Sequence, residues 1–431
     1  QSHRPRALTA ERTRNFMRPA YRRSHGIAWT CQIGEPDSKP PADRSDPFPR
    51  PPAYVTAHLR DRPLRPSLCR PRPAGHTGNM SEQHWFRREV LSLPAYVPGK
   101  EGMGPDVVKL ASNETPFSAL PAVQAVVAAE AGSLNRYPDM FATGLISDIA
   151  RFHEWADDGI VVGNGSTSLI EQFLRAVVTP GGEVVLPWRS FEAYPIAIQA
   201  AGGRQVPAPL RSGAHDLEGM LGAITSDTRA VLLCSPNNPT GVALAHTELS
   251  EFLAQVPERV PVLLDEAYID FVTMDDAVRS RDLLLEHPNL IVLRTFSKAY
   301  GLAGLRCGYA LTSPTMAAGL RAVATPFGVN ALAQAAARAA LSSQSEVRSR
   351  CAVVVSEREK FKAALSAHGL QIPDSQSNFV WLPGFGERLE TACLAEGVTV
   401  RRFGEEGVRI SVAEPEGALR VLRAVASVLH R

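Results

Sequence analysis

The chain has 431 residues, 44% of them apolar and 21% charged, the balance of a soluble globular protein with room for one large or two modest domains. The net charge of +2 is an uneven average: residues 1–79 carry 15 Arg and Lys against 6 Asp and Glu, a net of +9, which leaves −7 for the rest and no basic field to attract nucleic acid. No apolar run reaches the roughly 18 residues needed to span a bilayer, and Cys31, Cys69, Cys234, Cys307, Cys351 and Cys393 show neither CxxC pairs nor metal-ligand spacing, so they read as free thiols of a reducing, cytoplasmic compartment.

Residues 1–78 are dense in proline and arginine and have neither helical nor strand periodicity. Such a stretch buries too little apolar surface to offset its ordering entropy, so disorder is predicted. Met80-Ser81-Glu82-Gln83 opens an ordinary start, and residues 1–79 are read as a basic extension foreign to the native protein.

From Met80 onward, helical stretches at 120–130, 144–152 and 168–178 alternate with short apolar runs at 160–162, 183–186, 230–234, 260–264, 290–293 and 307–311. Short β-rich runs separated by helices predict an α/β fold, a three-layer, mostly parallel sheet covered on both faces. After Asn330 an alanine-rich helical region runs to about residue 368. Short strands at 378–382, 398–400 and 408–412, with helices at 386–396 and 416–429, predict a smaller α+β domain beyond it.

Polar residues follow the apolar runs, where open α/β sheets gather their ligands. Gly163-Asn164-Gly165-Ser166-Thr167-Ser168 is a glycine turn opening a helix, whose free N–H groups and dipole favour a phosphate. Ser235-Pro236-Asn237-Asn238-Pro239-Thr240-Gly241, Asp265-Glu266-Ala267-Tyr268 and Thr295-Phe296-Ser297-Lys298 follow the next runs, with Arg306 eight residues after the lysine. A lysine is rarely buried without a partner or a reaction, and when desolvated it can attack a carbonyl to form a Schiff base. With Thr295, Ser297 and Arg306 as phosphate ligands beside it, Lys298 suggests pyridoxal 5'-phosphate (PLP).

Each piece alone is an ordinary turn or cap; in this order they resemble the class I/II, fold-type I PLP-dependent aminotransferases from about Leu91 to the end of the chain. That resemblance implies an N-terminal arm and part of the small domain at 80–114, a large PLP-binding domain at 115–335, and a linking helix with the small C-terminal domain at 336–431. It makes Lys298 the Schiff-base lysine and proton shuttle, and Asp265 the partner of the pyridine nitrogen. Asn238 and Tyr268 would bond the ring 3-hydroxyl, and Phe191 would stack on the ring. Ser166, Thr167, Thr295, Ser297 and Arg306 would hold the phosphate. Tyr137, in Asn135-Arg136-Tyr137-Pro138-Asp139, matches a tyrosine that reaches the neighbouring subunit's phosphate, which implies a homodimer with shared active sites. Arg409, in Gly407-Val408-Arg409-Ile410-Ser411, matches the arginine that grips the substrate α-carboxylate, a bidentate task suited to a guanidinium. Asn113, in Leu110-Ala111-Ser112-Asn113-Glu114-Thr115-Pro116, sits in the segment that folds over the site.

Within the family the chain is most similar to the histidinol-phosphate aminotransferase branch. Gly165-Ser166-Thr167-Ser168-Leu169, Trp188-Arg189-Ser190-Phe191-Glu192-Ala193-Tyr194, residues 326–337 and Ser377-Asn378-Phe379-Val380-Trp381-Leu382-Pro383 look like its aromatic amino acid enzymes. Arg401 matches both the arginine that binds the phosphate of histidinol phosphate and its counterpart in the aromatic enzymes, where it could take the side-chain carboxylate of 2-oxoglutarate. Arg402 departs from the proline expected next. The implied activity is ping-pong transfer of an aromatic L-amino acid's amino group to 2-oxoglutarate. Histidinol-phosphate transamination, and decarboxylation or lyase chemistry on the same fold, stand as alternatives.

Overall fold

The computed structural model describes residues 85–94, 106–412 and 415–430. The extension predicted to be disordered and the start of the arm lie outside the described residues. In chain order the strands are β1 (Val108–Lys109), β2 (Ile160–Gly163), β3 (Glu183–Trp188), β4 (Arg204–Pro209), β5 (Thr228–Cys234) and β6 (Val262–Asp265), then β7 (Leu290–Thr295), β8 (Gly308–Thr312), β9 (Phe379–Pro383), β10 (Val398–Thr399), β11 (Arg401–Phe403) and β12 (Gly407–Ser411).

Seven of them form the main sheet in the order β2-β8-β7-β6-β5-β3-β4. The pairings from β7 through β4 are parallel, while β8 runs against both of its neighbours. The continuous apolar runs are explained by cover on both faces. Val231, Leu233, Val262, Leu264 and Val292 belong to one core, and Leu232, Leu263, Ile291 and Leu293 belong to the other, the period-two alternation of a strand. Helices Thr143–His153, His246–Gln255 and Ala331–Ser342 bury Ile149, Phe252 and Ala336 in the first core. Helices Ser166–Val177, Ala193–Ala200 and Pro314–Ala322 close the second with Phe173, Ile198 and Leu320. The predicted three-layer α/β architecture is the one observed.

Three elements differ from the sequence expectation. β4 escapes a hydrophobic pattern because it is an edge strand of mixed exposure carrying Pro207 and Pro209, and edges are where a sheet tolerates proline. The run at 398–400 splits: β10 pairs with β1, and β11 pairs with β12 in a separate three-stranded sheet, β11-β12-β9. The alanine-rich region breaks at Ser343 into Ala331–Ser342 and Gln344–Ala367. The boundary expected after residue 335 therefore falls inside a helix that packs on Pro121–Glu130 and Thr143–His153. The handover lies instead in the next helix, where Val347, Cys351 and Val354 join the large core. Further along it, Phe361 and Leu365 join a third core with Leu110, Val380, Ile410 and Val425.

Arg358 pins that handover. It is fully buried; its Nη1 donates to the carbonyls of Phe271 at 2.8 Å and Ser377 at 3.2 Å, and its Nη2 donates to Thr273 Oγ1 at 3.2 Å. Glu359 accepts from Nε at 2.8 Å. Removing the guanidinium strands the carbonyls of Phe271 and Ser377, while Glu359 keeps water and Lys362, so Arg358→Ala is expected to lose about 2–4 kcal/mol of unfolding free energy in urea titration. Arg358→Lys, with one head for three sites, should recover only part of it.

Candidate active site

Because β8 alone is reversed within the main sheet, its first residue stands beside the last residues of its neighbours: Gly308 is in register with Gly163 and with Thr295. Asp265 pairs with Leu293, and Cys234 with Asp265. The polar segments that follow β2, β3, β5, β6 and β7 thus open onto one edge. A cavity of about 330 Å³ lies there, lined by Ser166, Thr167, Phe191, Asn238, Asp265, Tyr268, Thr295, Ser297, Lys298 and Arg306 from the large sheet, and by Asn113, Arg401 and Arg409 from the smaller part of the chain.

Lys298 projects into this cavity three residues past β7, its Nζ donating to the Ser112 carbonyl at 3.1 Å and lying 5.8 Å from the centre of the Tyr268 ring. Loss of solvent, then the Arg409 charge, bring its ammonium down to about 8, so an appreciable share is neutral slightly above neutral pH. Asp265 ends β6 as a buried carboxylate that accepts from the Tyr194 hydroxyl at 3.0 Å and from the Ala267 N–H at 3.1 Å. Burial raises it to about 6, outweighing those two bonds. A cationic partner in the cavity would restore its charge.

The opposite end of the cavity suits a phosphate. Helix Ser166–Val177 starts from Gly165 with no side-chain cap, leaving its first N–H groups to a ligand. Arg306 leans over that turn: a Cβ on Gly165, whose φ is +83°, would sit 2.5 Å from Arg306 Nη2, and one on Gly308 would sit 2.6 Å from the Ser166 nitrogen. Arg306 itself adopts a left-handed φ of 58°, a conformation that disfavours arginine. Its Nη1 donates to the Ala303 carbonyl at 2.9 Å and meets Ser297 Oγ at 3.4 Å. Amides, hydroxyls and a guanidinium at one end, a lysine between, and a buried carboxylate fit the anion, aldehyde and ring nitrogen of PLP.

The substrate end comes from the small sheet. Arg401 and Arg409 are direct cross-strand partners on β11 and β12, a like-charge pairing that is unfavourable unless each cation is met. Arg409 donates to Asn238 Oδ1 at 2.6 Å and to the Ala111 carbonyl at 2.7 Å, with the Phe379 and Phe403 rings within 6 Å. Arg401 pairs with Glu192 and lies over Phe403. Asn113 takes a left-handed φ of 54°, donates to Tyr268 Oη at 2.9 Å, and binds Ser411 through its backbone N–H at 2.8 Å. The aromatic ring of Phe191 packs edge-on to Tyr194.

Of the residues singled out from sequence, Tyr137 stands apart from this cavity. It is 83% exposed and packs on Phe327, ring centres 4.7 Å apart. Two residues of the site had no separate signal. Tyr194, fully buried beneath Asp265, looks like one more apolar position of its helix. Glu192 looks like a surface charge until the fold brings Arg401 to it. Arg402, unexplained by sequence, sits beside Glu387, Glu390 and Glu405 at 3.3–3.5 Å, on the face away from the cavity that its strand neighbour Arg401 lines.

Comparison with known proteins agrees. The sequence profile of the family described as aminotransferase class I and II matches residues 105–425. The aromatic amino acid aminotransferase of Thermobifida fusca (strain YX) is 46% identical over 343 residues, which cover 78% of this chain and 96% of that protein. The protein of the same name from Streptomyces coelicolor is 46% identical over 337 residues, 77% of this chain and 94% of the relative. Among solved structures, the histidinol-phosphate aminotransferase from Sinorhizobium meliloti in complex with pyridoxal-5'-phosphate superposes with a TM-score of 0.72 at 28% identity, covering 82% of this chain and 99% of that one. A profile match over most of the length, and relatives sharing nearly half their residues, place the chain in the class I and II aminotransferases, enzymes that work with PLP.

Proposed function

We propose that the enzyme moves the amino group of an aromatic L-amino acid, phenylalanine or tyrosine, to 2-oxoglutarate, as a cytoplasmic homodimer with shared active sites. The observation that carries the donor is the state of Arg401. With Glu192 paired to Arg401 that end of the pocket is electrically neutral, which receives an uncharged aryl group without rearrangement, whereas a phosphate dianion would first have to displace the carboxylate. Phe403 beside Arg401 and Phe379 beside Arg409 back the two guanidiniums with apolar surface at the substrate end. The relatives named for aromatic amino acids support the same donor. Histidinol phosphate is the second reading, favoured by the Sinorhizobium neighbour.

PLP, once bound, supplies the electron sink that makes the amino acid's α-proton acidic. In this reading Lys298 would hold the cofactor at its aldehyde and would move the proton at the substrate's α-carbon, a task matched to its lowered basicity. Asp265, oriented by Tyr194, pairs with the ring nitrogen and keeps it protonated. Asn238 and Tyr268 bind the 3-hydroxyl, and Phe191 covers the ring. Ser166, Thr167, Thr295, Ser297 and Arg306 hold the phosphate. Arg409 takes the α-carboxylate with both faces of its fork, Asn113 closes over it, and Arg401 serves the second carboxylate of 2-oxoglutarate. The dimer reading rests on Tyr137, outside its own cavity in a segment whose Leu134, Met140 and Phe141 are all exposed, an apolar surface fit for a second copy. The unbridged state of Cys234, Cys307, Cys351 and Cys393 supports the compartment.

Borohydride reduction followed by mass spectrometry should find one PLP fixed per wild-type chain and none in Lys298→Ala, whose turnover should fall by at least about 10⁴-fold. Asp265 has a folded value raised from 3.8 to about 6, so between those pH values the folded apoprotein binds a proton that the unfolded chain does not, and stability falls as pH rises through the window. Asp265→Asn should therefore make the apoprotein more stable at pH 7.5, by on the order of 2 kcal/mol. The gain should vanish below pH 4, and PLP affinity should drop; urea titration of the apoprotein and PLP binding measure both. The donor is tested by kcat/KM for phenylalanine against histidinol phosphate: preference for the aromatic amino acid is expected, and preference for the phosphate ester would replace this reading with the second.

A further inference from the structure

Resting on that reading, the enzyme must admit two unlike side chains to one pocket, an uncharged ring from the donor and a carboxylate from 2-oxoglutarate. Arg401 suits the carboxylate, but beneath an aryl group it is a largely buried cation for which a nearby counter-charge lowers the cost of burial. The structure holds an answer at the end of the loop that follows β3. The side chain of Arg401 is 9% exposed, that of its partner Glu192 is 27% exposed, and both line the cavity. Arg401 is fixed in a strand and flanked by Phe403. Glu192 sits beyond β3 in the segment leading into helix Ala193–Ala200, with part of its carboxylate already in water.

We propose that Glu192 is an internal counter-ion that sets dual specificity: it neutralises Arg401 while an aromatic side chain fills the pocket, and yields Arg401 to the second carboxylate of a dicarboxylic 2-oxo acid. The exchange trades one carboxylate for another on the same guanidinium, so Arg401 keeps a carboxylate partner throughout. Glu192 is the partner that moves, because water can receive it. The loop keeps a second tie while it does so: Arg189 pairs with Glu406, between Phe403 on β11 and Gly407 on β12, so release of Glu192 need not free Phe191 from the ring it would cover.

The test uses the PLP-loaded enzyme and two unreactive probes, 3-phenylpropionate for the aryl substrate and maleate for the dicarboxylate, with dissociation constants from calorimetry. Glu192→Gln keeps shape and removes charge. It should weaken 3-phenylpropionate and tighten maleate, each by about 10-fold, a single lost charge interaction read in opposite directions. The kcat/KM values for phenylalanine and 2-oxoglutarate should part in the same sense. Glu192→Asp should restore the wild-type ranking in part, and Arg401→Gln should lose maleate while keeping 3-phenylpropionate. The inference fails if Glu192→Gln shifts both probes by the same factor or leaves both unchanged, the mark of a merely structural tie. That outcome is separate from a wild-type preference for histidinol phosphate, which would overturn the donor itself.

Discussion

Burial brings the proton affinities of two neighbouring groups toward each other, and the rest of the site is built around them. Lys298 follows β7 and Asp265 ends β6, strands paired side by side. Burial pushes the amine down to about 8 and the carboxylate up to about 6, while each group's charge favours the charged form of the other. Both shifts are set by the fold alone, so the two groups are already displaced from their values in water before any ligand arrives. That displacement lowers stability, and two helical layers over a wholly apolar sheet core supply what offsets it. Even the support beneath is specific. Tyr194 spends its hydroxyl on Asp265, and burial with the neighbouring carboxylate raises that phenol well above its ordinary range, so it stays a donor.

The substrate end obeys a different rule, because its charges come from parts of the chain that meet only after folding. Arg409 reaches Asn238 and Ala111, and Asn113 reaches Tyr268 and Ser411. Arg189 reaches Glu406, and Arg401 reaches Glu192. Arg409–Asn238, Asn113–Tyr268, Arg189–Glu406 and Arg401–Glu192 join the three-stranded sheet, or the segment beside it, to loops at the edge of the large sheet, while Arg409–Ala111 and Asn113–Ser411 tie that segment to β12. The groups proposed to bind substrate are therefore among those that hold the two parts in register, and in that reading a carboxylate arriving at Arg409 or Arg401 would compete with bonds across the junction.

The sequence disclosed what burial and strand geometry write into it. Runs such as Val-Leu-Leu-Asp at β6 are apolar because both faces are covered, and the residue that breaks the run is the one that reaches the edge. β4 was silent, since an exposed edge strand with two prolines has no pattern to show. Ser343 divides the long helical region without any breaker residue, and only packing against two neighbouring helices reveals where the first half belongs. Glu192 and Tyr194 were illegible for another reason. A counter-ion 209 residues from its partner, or a tyrosine whose one polar atom meets a carboxylate 71 residues away, has no local signature.

Arg401 and Arg402 show how much hangs on register. They are adjacent in β11, so their side chains take opposite faces. Arg401 faces the cavity opposite Arg409, while Arg402 meets Glu387, Glu390 and Glu405 on the other side. A slip of one residue would exchange them, turning a helix-facing cation into the pocket and leaving Glu192 and the acidic trio each with the wrong neighbour. The acidic trio therefore acts as more than solvation of a surface arginine. By meeting Arg402 on the outer face it favours the register that turns Arg401 toward the cavity, and the tight turn between Phe403 and Gly407, with Glu406 tied to Arg189, supports the same register.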